Sequence, residues 1–219
     1  MHFVMNVVVM LALALSPQGS GQAPPTEDEV RTLLEEAFPG TEATIVEIGN
    51  EEPRVVIPES FDTPQFVVRA VLSGVGDVFE VNAFVSFQRS LRLRYVEHQG
   101  LMMSAEELLQ LIQRDRQRRA IEQMRDLATA NGVMRVATGR YATYLLELQE
   151  LDYMPEVPVT DPWGNAWLYD SPSSRDYTLV SLGADGATGP AAPARWLREP
   201  YDPDIVLTDG QFIQAPSGR

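Results

Sequence analysis

The sequence predicts an α+β protein with two parts: a small N-terminal α+β domain, then a long helix packed on a small antiparallel sheet. Three observations lead to this fold class. A capped amphipathic segment opens the chain after residue 26. About five alternating or β-branched segments follow it before residue 98. A second and longer amphipathic segment then begins after residue 104 and is followed by shorter strand segments.

The first residues are typical of an export signal, and we assign residues 1–23 to a cleaved signal peptide. The apolar run from Val7 to Leu15 is shorter than the roughly 20 residues that a membrane-spanning helix needs. It matches the apolar core of a secretory signal, and small residues end the segment at Ala23. An uncleaved anchor is the alternative. We therefore expect a periplasmic or secreted protein with no stable membrane span after signal cleavage.

Composition excludes several classes of function. The 219 residues are 44% hydrophobic and 22% charged, which is typical of a globular protein. A net charge of −14 argues against nucleic acid as a partner, because the phosphate backbone repels it. The absence of Cys rules out thiol nucleophiles and thiolate metal sites. Of the two His, only His98 lies outside the leader, and we expect it in a surface or hydrogen-bonded role.

An N-terminal domain of unknown role is predicted over residues 26–98. Thr26 with Glu29 forms a capping box for a helix from Glu27 to Phe38, and a Pro-Gly pair ends that helix. The strand segments that follow are "TEATIVEIG", "RVVIP", "QFVVRAVLSG", "DVFEVNAFVSFQ" and "LRLRYVE". The stretch contains no phosphate loop, nucleotide fingerprint or catalytic constellation.

Strict alternation in the last of these segments predicts its two faces. Leu91, Leu93 and Tyr95 are expected on one face of the strand. Arg92, Arg94 and Val96 are expected on the other.

The C-terminal part, residues 104–219, begins with the long helix. Ser104 and Glu107 form a second capping box, and the helix is predicted to end near Gly132 or Thr138. Its apolar stripe is interpreted as the face that packs on a sheet; the stripe comprises Leu108, Leu111, Ile112, Ile121, Met124, Leu127 and Ala128. The dense basic run Arg114 to Arg119 is interpreted as a solvated helix face.

Shorter elements complete this part of the chain. A short helix is predicted around Tyr144 to Glu150, and the segments "AWLYD" and "DYTLV" are predicted to form an antiparallel hairpin. In "DPWGN", the Asp161 side chain can bond the backbone two residues on, and Gly164 permits positive φ. Trp163 there is expected to have its N–H satisfied. This motif is therefore interpreted as a structural turn and not a catalytic one.

A glycine-rich loop, "SLGADGATG", brings one carboxylate, Asp185, to the end of the last predicted strand. Two more acids, Asp202 and Asp204, follow in "YDPDI". Gathered carboxylates repel one another and raise their own pKa values unless a cation lies among them. Calcium takes six to eight oxygen ligands, from carboxylates and carbonyls alike, at about 2.3–2.6 Å. The alternative is a rigid turn with solvated acids.

The order of these motifs resembles the soluble C-terminal domain of the major pseudopilin of type II secretion systems. A helix is followed by "TGRYAT", then "MPEVPVTDPWGNAWLYDS", "DYTLVSLGADG" and "DPDI". The resemblance covers roughly residues 119–209 and implies a pilin-like head with a structural calcium ion in the last loop. It implies the Leu182 carbonyl, Asp185 and Asp204 as ligands. Asp202 lies where another acidic ligand could fall, and Glu199 could substitute for a lost ligand.

The resemblance also sets the functional expectation. It implies an exported, non-enzymatic interaction or assembly module whose partners are secretion or pilus-like apparatus proteins. The apolar polymerising helix of such pseudopilins has no counterpart in this sequence, so we do not expect a filament subunit of the usual kind. The alternative is a free-standing extracellular module that uses the same head to bind a protein or a glycan. No paired-carboxylate motif supports an enzyme.

Overall fold

The computed structural model describes residues 23–49, 66–88, 90–189 and 204–215. The leader (1–22) and the predicted strand "RVVIP" lie outside the described residues. The fold is mixed α+β, as predicted. Its elements in chain order are α1 (Glu27–Ala37), β1 (Glu42–Gly49), β2 (Phe66–Gly74), β3 (Asp77–Gln88), β4 (Ser90–His98), β5 (Leu101–Met103), α2 (Ala105–Thr138), α3 (Glu147–Glu150), β6 (Leu168–Asp170), β7 (Thr178–Ser181), β8 (Ile205–Thr208) and β9 (Gln211–Gln214).

The first sheet is an antiparallel meander in the order β1-β2-β3-β4-β5. Helix α1 begins at the predicted capping box, in which Thr26 and Glu29 bond each other's backbone N–H groups. It packs Val30, Leu34 and Phe38 into a core with the inward side chains of β2 and β3. The sheet continues past residue 98, because a two-residue turn joins β4 to β5. The domain boundaries at 26–98 and 104–219 remain predictions.

The predicted faces of β4 hold for Leu91 and Leu93 but are wrong for Tyr95 and Val96, because a β-bulge interrupts the alternation. Tyr95 pairs with Phe84, but the next pair is Leu93 with Val85, so Arg94 is the extra residue. Leu93 and Val96 therefore pack in the same core. Tyr95 instead stacks on Phe84, with ring centroids 4.7 Å apart.

Helix α2 is shared by two hydrophobic cores. It begins at the Ser104–Glu107 capping box and ends at Gly139, whose left-handed backbone (φ 81°) forms the C-cap. Leu108 and Ile112 belong to the core of the first sheet. Met124 and Leu127 belong to a second core, beneath the small sheet. No helix in the described part of the chain combines the length and apolar character needed to cross a membrane.

A buried ion pair lies at the junction of the two cores. Arg116, on α2, is only 1% exposed, and its Nε donates to Asp77 at 3.0 Å. Its Nη2 donates to the Gly40 carbonyl at 2.8 Å. A Cβ on Gly74 would lie 2.6 Å from the Nη2 of this guanidinium, so a larger residue there would displace the group that bonds Gly40. The interpretation of Arg114 to Arg119 as a solvated face is therefore wrong for Arg116.

The second sheet is antiparallel in the order β6-β7-β8-β9. The predicted hairpin is confirmed, since β6 pairs with β7 from Leu168–Val180 to Asp170–Thr178. Strands β8 and β9 are joined by Asp209 and Gly210, both with positive φ. The sequence analysis missed this hairpin, although Asp-Gly between two strand-like segments, here "IVLT" and "QFIQ", is a strong hairpin signal.

Candidate functional site

The candidate site is the "SLGADGATG" loop together with the turn beneath it. Asp161 is fully buried and organises the turn. Its Oδ1 accepts hydrogen bonds from the backbone N–H of Trp163 (3.0 Å) and Asn165 (2.9 Å). Its Oδ2 accepts one from the Ser181 hydroxyl at the end of β7 (2.7 Å). The predicted side-chain-to-backbone turn is confirmed, and one carboxylate ties it to the loop.

Asn165 makes a second connection between turn and loop. Its Nδ2 donates to the Gly183 carbonyl at 2.7 Å. Gly183 and Gly186 both have positive φ (65° and 63°), which bends the loop over the turn. A Cβ on Gly186 would lie 2.8 Å from the Asn165 Oδ1. Gly186 is thus favoured by close approach as well as by backbone conformation, and Gly183 by backbone conformation.

The indole of Trp163 anchors the turn to α2. Its Nε1 donates to the Gln113 Oε1 at 2.5 Å, which confirms the prediction that its N–H is satisfied. Gln113 is buried although polar, which is explained by this bond. The loop therefore rests on the turn, and the turn rests on the long helix.

Asp204 is the most unusual acid of the loop. It is 9% exposed, and its Oδ2 accepts the Gly189 N–H at 3.1 Å. Its Oδ1 is buried and accepts no hydrogen bond from the described part of the chain. Burial, with a smaller contribution from the negative charge of Asp185, raises the pKa of Asp204; the Gly189 bond opposes this. A cation next to Oδ1 would offset the free-energy cost of burying the ionised Asp204 carboxylate.

The other predicted ligands are placed as follows. Asp185 is exposed, and its Oδ1 accepts the Ala187 N–H at 3.0 Å. Leu182 is half-buried between β7 and Gly183. Asp202 and Glu199 lie outside the described residues. Within the described ranges no group of three or more acids or His is arranged to hold a metal. The loop has two described carboxylates close enough to interact, those of Asp185 and Asp204.

A second polar cluster, which the sequence analysis missed, holds the "TGRYAT" segment against α2. Asn131, buried on the helix, accepts the Ala142 N–H at 2.8 Å and donates to the Tyr169 hydroxyl at 3.0 Å. That hydroxyl donates to the Ala142 carbonyl at 2.7 Å. Asn131 is a polar residue on the apolar stripe of α2. Its position was the signal available in the sequence, because a buried amide needs hydrogen-bond partners.

An ion pair closes the same segment. The Arg140 guanidinium binds both carboxylate oxygens of Glu147, and the Thr143 N–H donates to Glu147 at 2.6 Å. The Arg140 hydrogen bonds lower the pKa of Glu147 to about 2. Elsewhere, His98 is buried and its Nδ1 lies 2.9 Å from the Glu80 carbonyl, in the expected hydrogen-bonded role.

The long helix, the small antiparallel sheet and the glycine loop form an α+β arrangement that is consistent with a pilin-like head. More specifically, residues 107–199 match the family model of the type II secretion system (T2SS), protein G. The resemblance to the major pseudopilin is thus confirmed for this segment, which is less than half of the chain. The matched range includes the turn and the glycine loop and stops before Asp204. This family is a structural component of the secretion system and not an enzyme family.

No curated protein and no solved structure matches the chain.

Proposed function

We propose that this protein is an exported, non-enzymatic interaction or assembly module that joins a type II secretion apparatus through its pseudopilin-like head. The observation that carries the proposal is the family match over residues 107–199, a range that contains both the turn and the glycine loop. The proposed location is the periplasm, to which pseudopilins of this family are exported, or the cell exterior. Its proposed partners are the proteins of that apparatus.

Deletion of the gene in its host tests the function. We expect less of a type II-secreted protein to reach the medium, with the missing fraction retained in the periplasm. A plasmid copy of the full chain should restore secretion, and a periplasmic marker protein should stay inside the cells throughout. Unchanged secretion would contradict the proposal and favour the alternative, a free-standing module that binds a protein or a glycan.

We further propose that the glycine loop holds a structural calcium ion. Its ligands would be the Leu182 carbonyl and the carboxylates of Asp185, Asp202 and Asp204. The Asp204 Oδ1, which accepts no hydrogen bond from any described residue, supports this, since a hard cation with oxygen ligands would satisfy it. The effect of Asp185 on the pKa of Asp204 supports it as well, because a cation between the two carboxylates would turn repulsion into attraction. Calcium here would hold the loop in one conformation and take no part in a reaction.

Thermal melts in calcium and in chelator test this site. Calcium at 100 times its dissociation constant is expected to stabilise the fold by about 2.7 kcal/mol, seen as a higher Tm. Asp204→Asn keeps the shape and an acceptor for Gly189 but removes the charge, so it should abolish the shift. Asp170→Asn is the matched control, because it removes an exposed acid from the same sheet. No shift in the wild type, or an equal shift in Asp204→Asn, would refute the site.

A further inference from the structure

Residues 75–77 form the tip of the β2–β3 hairpin, which lies against the middle of α2. Arg119, on the helix, donates from its Nη1 to the Val75 carbonyl at 3.1 Å. Asp77 forms ion pairs with both Arg119 and Arg116. Hydrogen bonds that involve charged groups are shorter and stronger than neutral ones. The hairpin tip is therefore held firmly to the long helix.

The same hairpin tip borders the turn beneath the glycine loop. A Cβ on Gly164 would lie 3.5 Å from the Val75 Cγ2, which is an ordinary van der Waals distance. Trp163, the residue before Gly164, donates from its indole to Gln113 on α2. The hairpin tip and the turn therefore lie side by side, and one stretch of helix, residues 113–119, bonds both of them.

This stretch of α2 is buried although it is polar. Ile112 precedes it in the first core, and Ala120 follows it in the second. Between them, Gln113 and Arg116 are only 8% and 1% exposed, and both are hydrogen-bonded. Hydrogen bonds are directional and apolar burial is not, so a satisfied polar cluster favours one arrangement of the elements around it. The junction therefore fixes the position of the first sheet relative to the turn.

We infer that the first sheet, for which the sequence predicts no role, acts as a brace that limits the motion of the glycine loop. Its hairpin tip holds the "DPWGN" turn against α2. The bonds from Asp161 to Ser181 and from Asn165 to Gly183 then link the turn to the loop. A loop fixed at its base keeps one conformation and loses less entropy when it binds. The brace requires neither calcium nor the secretion role.

Hydrogen–deuterium exchange of the full-length chain tests the brace. Arg119→Met keeps the alkyl stem but removes the bonds to the hairpin tip, so the backbone amides of residues 182–189 should exchange about ten-fold faster. Arg118→Met is the matched control. Arg118 and Arg119 both pair with Asp115, but of the two only Arg119 bonds the tip in the described chain. Wild-type loop exchange in Arg119→Met would overturn the inference, because the first sheet would then be a separate unit.

A second control separates the brace from a general loss of stability. Val30→Ala leaves a cavity in the first core, but Val30 lies on α1 and makes none of the hydrogen bonds of the hairpin tip. Loop amides that exchange by local opening should not respond to this substitution. If Val30→Ala speeds loop exchange as much as Arg119→Met does, the effect is global and the brace is wrong.

The effect must also appear in the opposite direction, because a coupling free energy is reciprocal. Trp163→Phe keeps an aromatic ring but removes the bond to Gln113, so the amides of residues 75–77 should exchange faster. Trp167→Phe is the control, since its indole N–H has no acceptor within the described ranges. A hairpin tip that does not respond to Trp163→Phe would contradict the inference. Circular dichroism confirms that each variant is folded.

Discussion

Replacement of Arg116 by Ala is expected to lower the free energy of unfolding by about 3–5 kcal/mol. Arg116 is 1% exposed, so the substitution leaves the Asp77 carboxylate buried with Arg119 as its one remaining ion-pair partner among the described residues. It also removes the donor to the Gly40 carbonyl and leaves a cavity beside Gly74. Urea denaturation followed by far-UV circular dichroism measures the loss directly.

Arg118→Ala is the matched control for this prediction. Arg118 lies two residues away on the same helix, pairs only with Asp115 in the described chain, and has a side chain 68% exposed. Exposed pairs of this kind contribute about 0–1 kcal/mol. Arg116→Ala and Arg118→Ala should therefore differ by several kcal/mol. If the two variants are equally stable, the ion pair does not hold α2 to the first sheet.

The same basic run shows which part of the fold could be predicted from sequence. Both capping boxes were predicted correctly, because a cap depends on residues three positions apart. The burial of Arg116 depends on Asp77 and Gly40, which lie far away in sequence and are brought there by the sheet. No local pattern distinguishes Arg116 from its exposed neighbour Arg118.

The bulge in β4 shows a second limit of prediction from sequence. Alternation in "LRLRYVE" predicts a regular strand, but pairing with β3 inserts Arg94 and reverses the face of every residue after it. A bulge is set by the partner strand as much as by the bulged one. The strand could therefore be located from its own residues, whereas its register could not.

More of the candidate site than of β4 could be predicted from sequence, because many of its hydrogen bonds join residues that are close in the chain. Trp163 and Asn165 lie within four residues of Asp161, and their bonds follow from turn chemistry. The Ser181 bond to Asp161 joins residues 20 apart and required the hairpin to form first. The burial of Asp204 likewise depends on pairing of β8 with β7. Sequence thus located the loop, and the sheet determined which of its acids is buried.

Asp161→Ala is expected to lower the free energy of unfolding by about 2–4 kcal/mol, because it leaves three donors without their acceptor in a buried turn. Asp161→Asn should cost less than Asp161→Ala. The Asn carbonyl can still accept both backbone N–H groups, and its amide can donate to the Ser181 hydroxyl. Urea denaturation of the two variants separates two contributions to the free energy of unfolding: the hydrogen bonds that residue 161 accepts and the negative charge of Asp161.

The same pair of variants tests whether the turn positions the loop. Asp161 lies beneath the loop and is not among the proposed calcium ligands, yet its Ser181 bond fixes the residue from which the loop departs. Asp161→Ala should therefore weaken or abolish a calcium-dependent rise in Tm, while Asp161→Asn should retain most of it. A full calcium response in Asp161→Ala would show that the loop forms its site without the turn, and the bracing role of Asp161 would be wrong.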